Sequence, residues 1–510
     1  MIKFYIYLAI IVCGASVPAI AILGARVIAP YYGVSHYTWS GIISVTLAAL
    51  GIGYALGGRW ADRGPQLNRF CIAIAVAGLW VILIPWLRTP VLSAAEPLGL
   101  RAAVLIAATI LFFPPLALLG MVVPYAIRLI ASSLDVVGRT AGNLYAVSTV
   151  ASVGAAVVTG FFLIPNIGLY PLIFSIGVLL IATALIGLAM FWKHKTAQVS
   201  ALIFMVAGIL GLRLVTAEAV NPEIGLVAIK QSQNAEIRVV DLDEERYLLI
   251  DGGIHAVIDK ATGFSRLPYV DVLDIAKDFY DISGNLLLIG LGGGSVVKNF
   301  ARDGWIVEVV ETDATVTRVA YEYFGLTSEE AEVYEIDGRQ YLITSDQKYD
   351  LIVMDAFGGS TSPSHLVTEE AFGLIKSHLS PNGILAMNVE SVGWRDQIIL
   401  SLAATANRQF SNVLVLPIAE PPDQLGNVIL LASNRSLELK EEPPVPLDRF
   451  SAEYHRAHAW DNRFFVDTTG IQVLTDEFNP VDIWAERINF VARQKLHEKF
   501  SQTGIADNFD

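Results

Sequence analysis

Residues 1–217 of this chain are mostly long apolar runs joined by short charged loops, and a run of about 20 apolar residues has nowhere to hide in water but spans a bilayer as a helix. Seven runs qualify, near 4–25, 38–58, 69–88, 102–127, 141–164, 168–191 and 197–215. They predict a multi-span helical membrane domain over residues 1–217, in contact with lipid. The first run lacks a basic start and a small-residue cleavage site, so it reads as a span and not as a removed signal. Pro114, Pro115 and Pro124 predict a kink in the fourth. Arg59, Arg63 and Arg69, then Arg128 and Arg139, then Lys193 and Lys195 mark alternate loops as cytoplasmic. Arg26, close to Pro30 and Tyr31, reads as an arginine snorkelling to the interface, and the glycines from Gly51 to Gly58 as close helix packing.

From residue 221 onward the composition is that of a globular domain. The chain carries 35 Lys and Arg against 49 Asp and Glu, a net charge of -14, which argues against a nucleic-acid partner and suits cationic small molecules. Cys13 and Cys71 both fall in apolar runs, so no disulfide framework or cysteine metal site is expected. The eight histidines show no ligand spacing, so no metal is expected either.

Within this half, residues 221–262 read as a small antiparallel β subdomain, with strand-like alternation at 236–240 and 247–250 and turns at 241–245 and 251–253. A helix is expected from about Phe264 to Tyr280. Residues 263–510 then alternate strand and helix, the pattern of a doubly wound, Rossmann-like sheet. Its first unit is the most informative. The apolar strand 286–289 runs into a glycine turn, Gly290, Gly292, Gly293 and Gly294. A helix follows from Ser295, and a second strand ends at Glu311. Such glycines let backbone approach a ligand closely, and an acid about 20 residues on can accept hydrogen bonds from ribose hydroxyls. Asp337 and Asp355 also follow apolar strands, so three acids should converge at the carboxyl edge of one sheet.

In the glycine turn, the strand ending at Glu311, the 335–342 segment EIDGRQYL and the 349–357 segment YDLIVMDAF, the sequence resembles the polyamine aminopropyltransferases, spermidine synthase and its relatives. Residues 24–40, 53–63, 138–168 and 474–482 resemble the branch of that family with a fused membrane region. The resemblance implies a methyltransferase/spermidine-synthase type of α/β domain and transfer of an aminopropyl group from decarboxylated S-adenosylmethionine to an amine such as putrescine. It implies no prosthetic group. Gly290, Gly292, Gly294 and Ser295 would line the nucleoside, Glu311 would hold the ribose, and Asp337 with Gly338 would meet the adenine. Asp355 would assist removal of the amine proton and Tyr269 would sit over the amine. His255 stands where a glutamine is usual.

Two carboxylates common in soluble members are missing. Ser295 replaces an Asp that meets the donor's amine, and the position three residues after Asp355 is Gly358. Asp271, Glu390, Asp423 and Asp476 are the acids available to replace them on the amine side. The Ser295 substitution keeps an S-adenosylmethionine-dependent methyltransferase open as an alternative, and the 57–63 loop GGRWADR a polyamine- or nucleoside-binding transporter or sensor. Seven spans and the loop charges would put the C-terminal domain outside the cell. A cytosolic nucleotide substrate favours the cytoplasm, so the side stays open, as does a homodimer.

Overall fold

The computed structural model describes residues 2–33, 36–131, 136–191, 225–232, 234–356, 363–418, 423–444 and 446–501. The chain divides into two compact units, residues 1–221 and 222–509. In the first, six helices are long and apolar enough to cross a membrane: Ile2–Tyr32, His36–Asp62, Leu67–Leu98, Leu100–Ile130, Val137–Leu163 and Leu169–Met190. The seventh expected run, 197–215, lies outside the described residues. The expected kink in the fourth is a break at Met121, between helical segments Leu100–Gly120 and Val122–Ile130. Glycines set the packing of the second span on the fourth. A Cβ at Gly53 would lie 2.3 Å from the Ala117 carbonyl oxygen, and one at Gly57 2.6 Å from the Met121 backbone. These helices touch backbone to backbone, which dispersion and carbonyl contacts favour where no hydrophobic effect is available.

The second unit holds two sheets. The smaller has four antiparallel strands in sequential order, β1 Leu226–Gln231, β2 Glu236–Leu242, β3 Glu245–Ile250 and β4 Gly253–Asp259. Its residues alternate between two apolar faces. Ile237, Val239, Leu248 and Ala256 pack on Val316, Val319 and Phe324, while Val240, Tyr247 and Leu249 pack with Leu496 of the C-terminal helix Val481–Ser501. The helix expected over 264–280 is shorter: Ser265 still bridges to Ile258, a helix covers Pro268–Leu273, and tighter 3₁₀ turns cover Asp274–Phe279. Pro268 explains the late start, since proline is favoured at a first helical turn and pushes the residue before it to extended backbone.

The larger sheet has seven strands: β5 Asn285–Ile289, β6 Ile306–Glu311, β7 Glu332–Glu335, β8 Tyr349–Met354, β9 Leu379–Val392, β10 Asn412–Pro417 and β11 Leu425–Ser433, in the order β10-β11-β9-β8-β5-β6-β7. The five from β5 to β9 run parallel, and β10 and β11 close the edge antiparallel. Both faces are apolar, with Leu286, Leu288, Val353, Ile384 and Ala386 on one and Leu287, Ile289, Ile352, Leu385 and Met387 on the other. That double burial is why these strands read as continuous apolar runs. Residues 380–383 interrupt β9, whose register on β8 shifts between Leu379 and Ile384.

The chain leaves β5 for β6 and β7, then returns to lay β8 on the other side of β5. The order reverses there, and a ligand crevice is expected beyond the carboxyl ends of β5 and β8. In the membrane-type unit, Gly53→Leu should force the second and fourth spans apart. Thermal melting in detergent is expected to fall by several degrees, while a leucine at Gly51, where nothing lies within 4 Å, should leave melting unchanged.

Candidate active site

At the carboxyl end of β5 the chain must turn sharply beneath its neighbour. Gly290 has φ +95°, and a Cβ there would lie 2.4 Å from the Asp355 carbonyl oxygen. Gly292 at φ +53° and Gly294 at φ +78° continue the turn, and a Cβ on Gly293 would strike Ala256 Cβ at 2.7 Å. Only glycine meets these demands without strain. The helix Ser295–Arg302 starts at once, with Gly294 as its left-handed cap. Ser295 is 8% exposed and its Oγ has no hydrogen-bond partner among the described residues.

Glu311, the last residue of β6, reaches back to this turn. Its Oε2 accepts from Leu291 N at 3.0 Å and its Oε1 from Asp313 N at 2.9 Å. Burial raises its pKa, with the two N–H groups opposing. Asp337 caps the helix Gly338–Thr344, accepting from Gln340 N, while its other oxygen pairs with His365 Nε2 at 2.7 Å. Burial pushes the Asp337 carboxyl up, but these hydrogen bonds outweigh it and leave the pKa below its ordinary value. A Cβ on Gly338 would meet Ile289 Cγ2 at 2.7 Å, so this helix starts close against β5.

Asp355 follows β8 directly, its N–H donating to Ile289 O at 2.9 Å. Its carboxylate is held on both sides. Tyr269 Oη donates to Oδ2 at 2.9 Å and Asn388 Nδ2 donates to Oδ1 at 2.8 Å. Asn388 is fixed in turn by Asn427, whose Nδ2 donates to Asn388 Oδ1 at 3.0 Å. Burial raises the Asp355 pKa to about 6, with the two donors restraining the rise. The same burial, with Asp355 adjacent, pushes the Tyr269 hydroxyl well above its usual value, so it stays a donor. A carboxylate with this pKa is ionised at neutral pH and is a better proton acceptor than an exposed one.

The spermine/spermidine synthase domain model matches residues 245–440. A polyamine aminopropyltransferase of Vibrio vulnificus (strain CMCP6) is 29% identical over 236 residues, 42% of this chain and 75% of that protein. Residues 245–440 thus carry a spermine/spermidine synthase domain. A polyamine aminopropyltransferase of Oceanobacillus iheyensis is 24% identical over 437 residues, covering 80% of this chain and 81% of that protein, so its likeness runs on into the apolar half. A probable spermidine synthase from Corynebacterium glutamicum ATCC 13032, in its crystal structure, has 19% identity, covers 49% of this chain and 96% of its own, and gives a TM-score of 0.41.

The amine-side acids expected in this synthase-family domain fare differently. Asp271 does not join the Asp355 set, since its Oδ2 is bonded to His455 Nδ1 at 2.7 Å. Asp476 is also committed elsewhere. It takes a two-pronged pair from Arg339 and a hydrogen bond from Thr368 Oγ1, so it ties the 474–482 segment to the Asp337 end of the site, and its pKa is lowered chiefly by Arg339. Asp423 is exposed in the turn before β11, beside a surface groove with Trp484 and Arg487. Gly358 lies outside the described residues. Glu390 is the acid left near Asp355: it follows Asn388 by two residues, hence on the same face of β9. Burial pushes its pKa up to about 7, with Arg493 and Lys495 opposing. The backbone of His255 runs 3.6 Å from the Cβ position of Gly292. Its imidazole is held neutral, at a pKa of about 4, by burial and by Arg493.

Asn388 was not among the residues singled out from the sequence. Its signal was available, as a polar residue continuing the inward parity of Ile384 and Ala386. Arg493, in the C-terminal helix Val481–Ser501, carried no such signal. Gly290→Ala should press a methyl group into the Asp355 carbonyl and force a disfavoured φ, at a cost of about 2 kcal/mol or more. Thermal melting in detergent is expected to fall by several degrees, and wild-type melting would show that the turn tolerates a side chain.

Proposed function

We propose that this protein is a membrane-embedded polyamine aminopropyltransferase of the spermidine synthase type, moving the aminopropyl group of decarboxylated S-adenosylmethionine to an amine and releasing methylthioadenosine. The observation that carries the proposal is the buried Asp355 carboxylate, clamped between Tyr269 and Asn388 beside the glycine turn. Gly290, Gly292, Gly294 and the Ser295 hydroxyl line the donor. Glu311 accepts from the ribose hydroxyls, and Asp337 and Gly338 border the adenine. The amine nitrogen attacks the methylene bound to the sulfonium, the N–C bond forms as the C–S bond breaks, and the bonding pair leaves on sulfur. As the nitrogen turns cationic its proton becomes acidic and passes to Asp355. Much of the rate comes from holding amine, methylene and sulfur in line.

Among the described residues, the basic loops after the second and fourth spans fall on one side, and by the charge rule that side is the cytoplasm. A cytosolic donor favours the same side for the synthase-family domain.

The test is to supply the purified protein with decarboxylated S-adenosylmethionine or S-adenosylmethionine, together with putrescine or other amines, and to identify the nucleoside released. Methylthioadenosine supports the proposal. S-adenosylhomocysteine would indicate a methyltransferase instead, and no turnover a binding protein. Asp355→Asn should lower kcat about a thousandfold while nucleoside affinity changes little. The raised Asp355 pKa sets the direction of the pH profile: below about pH 6 the carboxyl is protonated and cannot accept a proton, so kcat/KM should fall on the acid side with an apparent pKa near 6. An acid limb near 4 would remove Asp355 from this role.

A further inference from the structure

Residues 363–368 carry the histidine that pairs with Asp337, yet they form only one short 3₁₀ turn, Ser364–Leu366. Such a turn has poor hydrogen-bond geometry and does little to fix itself. Leu366 anchors one side of it, lying 3.5 Å from the Cβ position of Gly338. The rest of its support comes from residues 474–479, which lie beyond the segment that matches the synthase domain. Asn479 Nδ2 donates to Ser364 O at 2.6 Å, Thr368 Oγ1 donates to Asp476 Oδ1 at 2.7 Å, and Glu369 N donates to Leu474 O at 2.8 Å.

The supporting stretch is itself well anchored. Leu474 is fully buried, and its N–H donates to Thr405 Oγ1 at 2.9 Å. Thr475 and Phe478 exchange two backbone hydrogen bonds, each 3.1 Å long, which closes a tight turn around Asp476. Asn479 Oδ1 accepts from Val481 N at 3.1 Å, where the last helix starts. Arg339 then closes a ring. Its two terminal nitrogens donate to the two Asp476 oxygens, and Nη1 also donates to His365 O at 3.0 Å. Arg339 belongs to the helix that Asp337 caps, so the turn at 474–479 reaches Asp337 both through that helix and through His365.

His365 Nε2 meets Asp337 Oδ2 at 2.7 Å. An aspartate ionised at neutral pH offers only acceptors, so the imidazole Nε2 carries the hydrogen. Asp337 Oδ1 accepts from Gln340 N, and a carboxylate has about four lone-pair positions, so it can still take a donor from a ligand. With side chains 49% and 34% exposed, His365 and Asp337 would orient each other weakly as an isolated pair. Set in a ring of partners, they are held.

We infer that the 474–479 turn is a positioning element for the base of the nucleoside donor: through Arg339 and the 364–368 stretch it seats His365, which fixes the Asp337 carboxylate as acceptor for an exocyclic amino group. The inference rests on the reading above that Asp337 borders the adenine. A base with an oxygen in place of that amino group would set acceptor against acceptor. A fixed carboxylate rejects it, whereas a loose one turns aside and discriminates less.

Calorimetric binding of 5′-methylthioadenosine and of its 6-oxo counterpart, 5′-methylthioinosine, to the full-length protein in detergent tests this. Wild type should prefer the 6-amino nucleoside about tenfold or more. His365→Ala and Asp476→Ala should each bring the preference to within about threefold of parity, chiefly by weakening the 6-amino nucleoside. His365→Gln, which keeps an N–H of similar reach, should retain most of it. Equal weakening of both nucleosides is what a merely structural role gives, and it would overturn the inference. So would an unchanged or increased preference in either alanine variant, a glutamine variant no better than alanine, or a wild type without preference. His365 is half-exposed, so its two variants decide the matter if Asp476→Ala does not fold. Wild-type protein that binds neither nucleoside would instead overturn the transferase reading beneath.

Discussion

The close approach of β5 and β8 at their carboxyl ends is the constraint on which the site depends. Asp355 N–H donates to Ile289 O, extending the ladder by one step past the last strand residue. The same closeness leaves no room for a side chain on Gly290. A parallel sheet whose order reverses between these strands opens a crevice there, and the first residue after β8 is forced to its edge. Asp355 thus owes its place to backbone pairing, and its chemistry to what surrounds it. Removed from most solvent, the carboxyl would rise further in pKa were it not for Tyr269 and Asn388, which donate to its two oxygens. Its neutral neighbours orient it without cancelling its charge.

The three strand-end acids illustrate how similar residues acquire different properties from position. Glu311 bends back and takes N–H groups from the glycine turn and from Asp313, so it helps shape the turn it borders. Asp337 is a helix cap shared with His365. Among the described residues, Asp355 takes only side-chain donors. The 474–482 segment adds a clamp of its own: Asp476 gathers Arg339 and Thr368, and Asn479 Nδ2 donates to Ser364 O at 2.6 Å, so the chain on the far side of the site is tied to the helices that flank Asp337. A multi-centre tie of this kind is worth more than an isolated surface pair, because the partners orient one another.

Much of this architecture was legible beforehand, for reasons of periodicity and steric demand. Six of the seven apolar runs of bilayer length are long helices, the form that lipid would demand of backbone. Buried parallel strands read as unbroken apolar runs because both faces are covered, and the residues of β5 and β8 divide between two packed layers accordingly. The helix over 264–280 was overdrawn because its apolar spacing hides the delay imposed by Pro268. The acids of the amine side were beyond such reasoning: Asp271 and Asp476 look as available as Glu390 in the sequence. Their partners, His455 and Arg339, are 184 and 137 residues away.

What the sequence by itself determined is therefore local: the long apolar helices, the alternation of strands and helices, the glycine turn, and the strand-end acids Glu311, Asp337 and Asp355. Each follows from rules of period, length or backbone freedom that act over a few residues. Only the tertiary structure decided which carboxylates remain near Asp355 and how readily they ionise, because a carboxylate's availability depends on partners from other elements. Tyr269 and Asn388 reach Asp355 from 86 and 33 residues away, and Arg493 enters from the last helix. Burial and long-range pairing set those properties, and neither has a period that can be read along the chain.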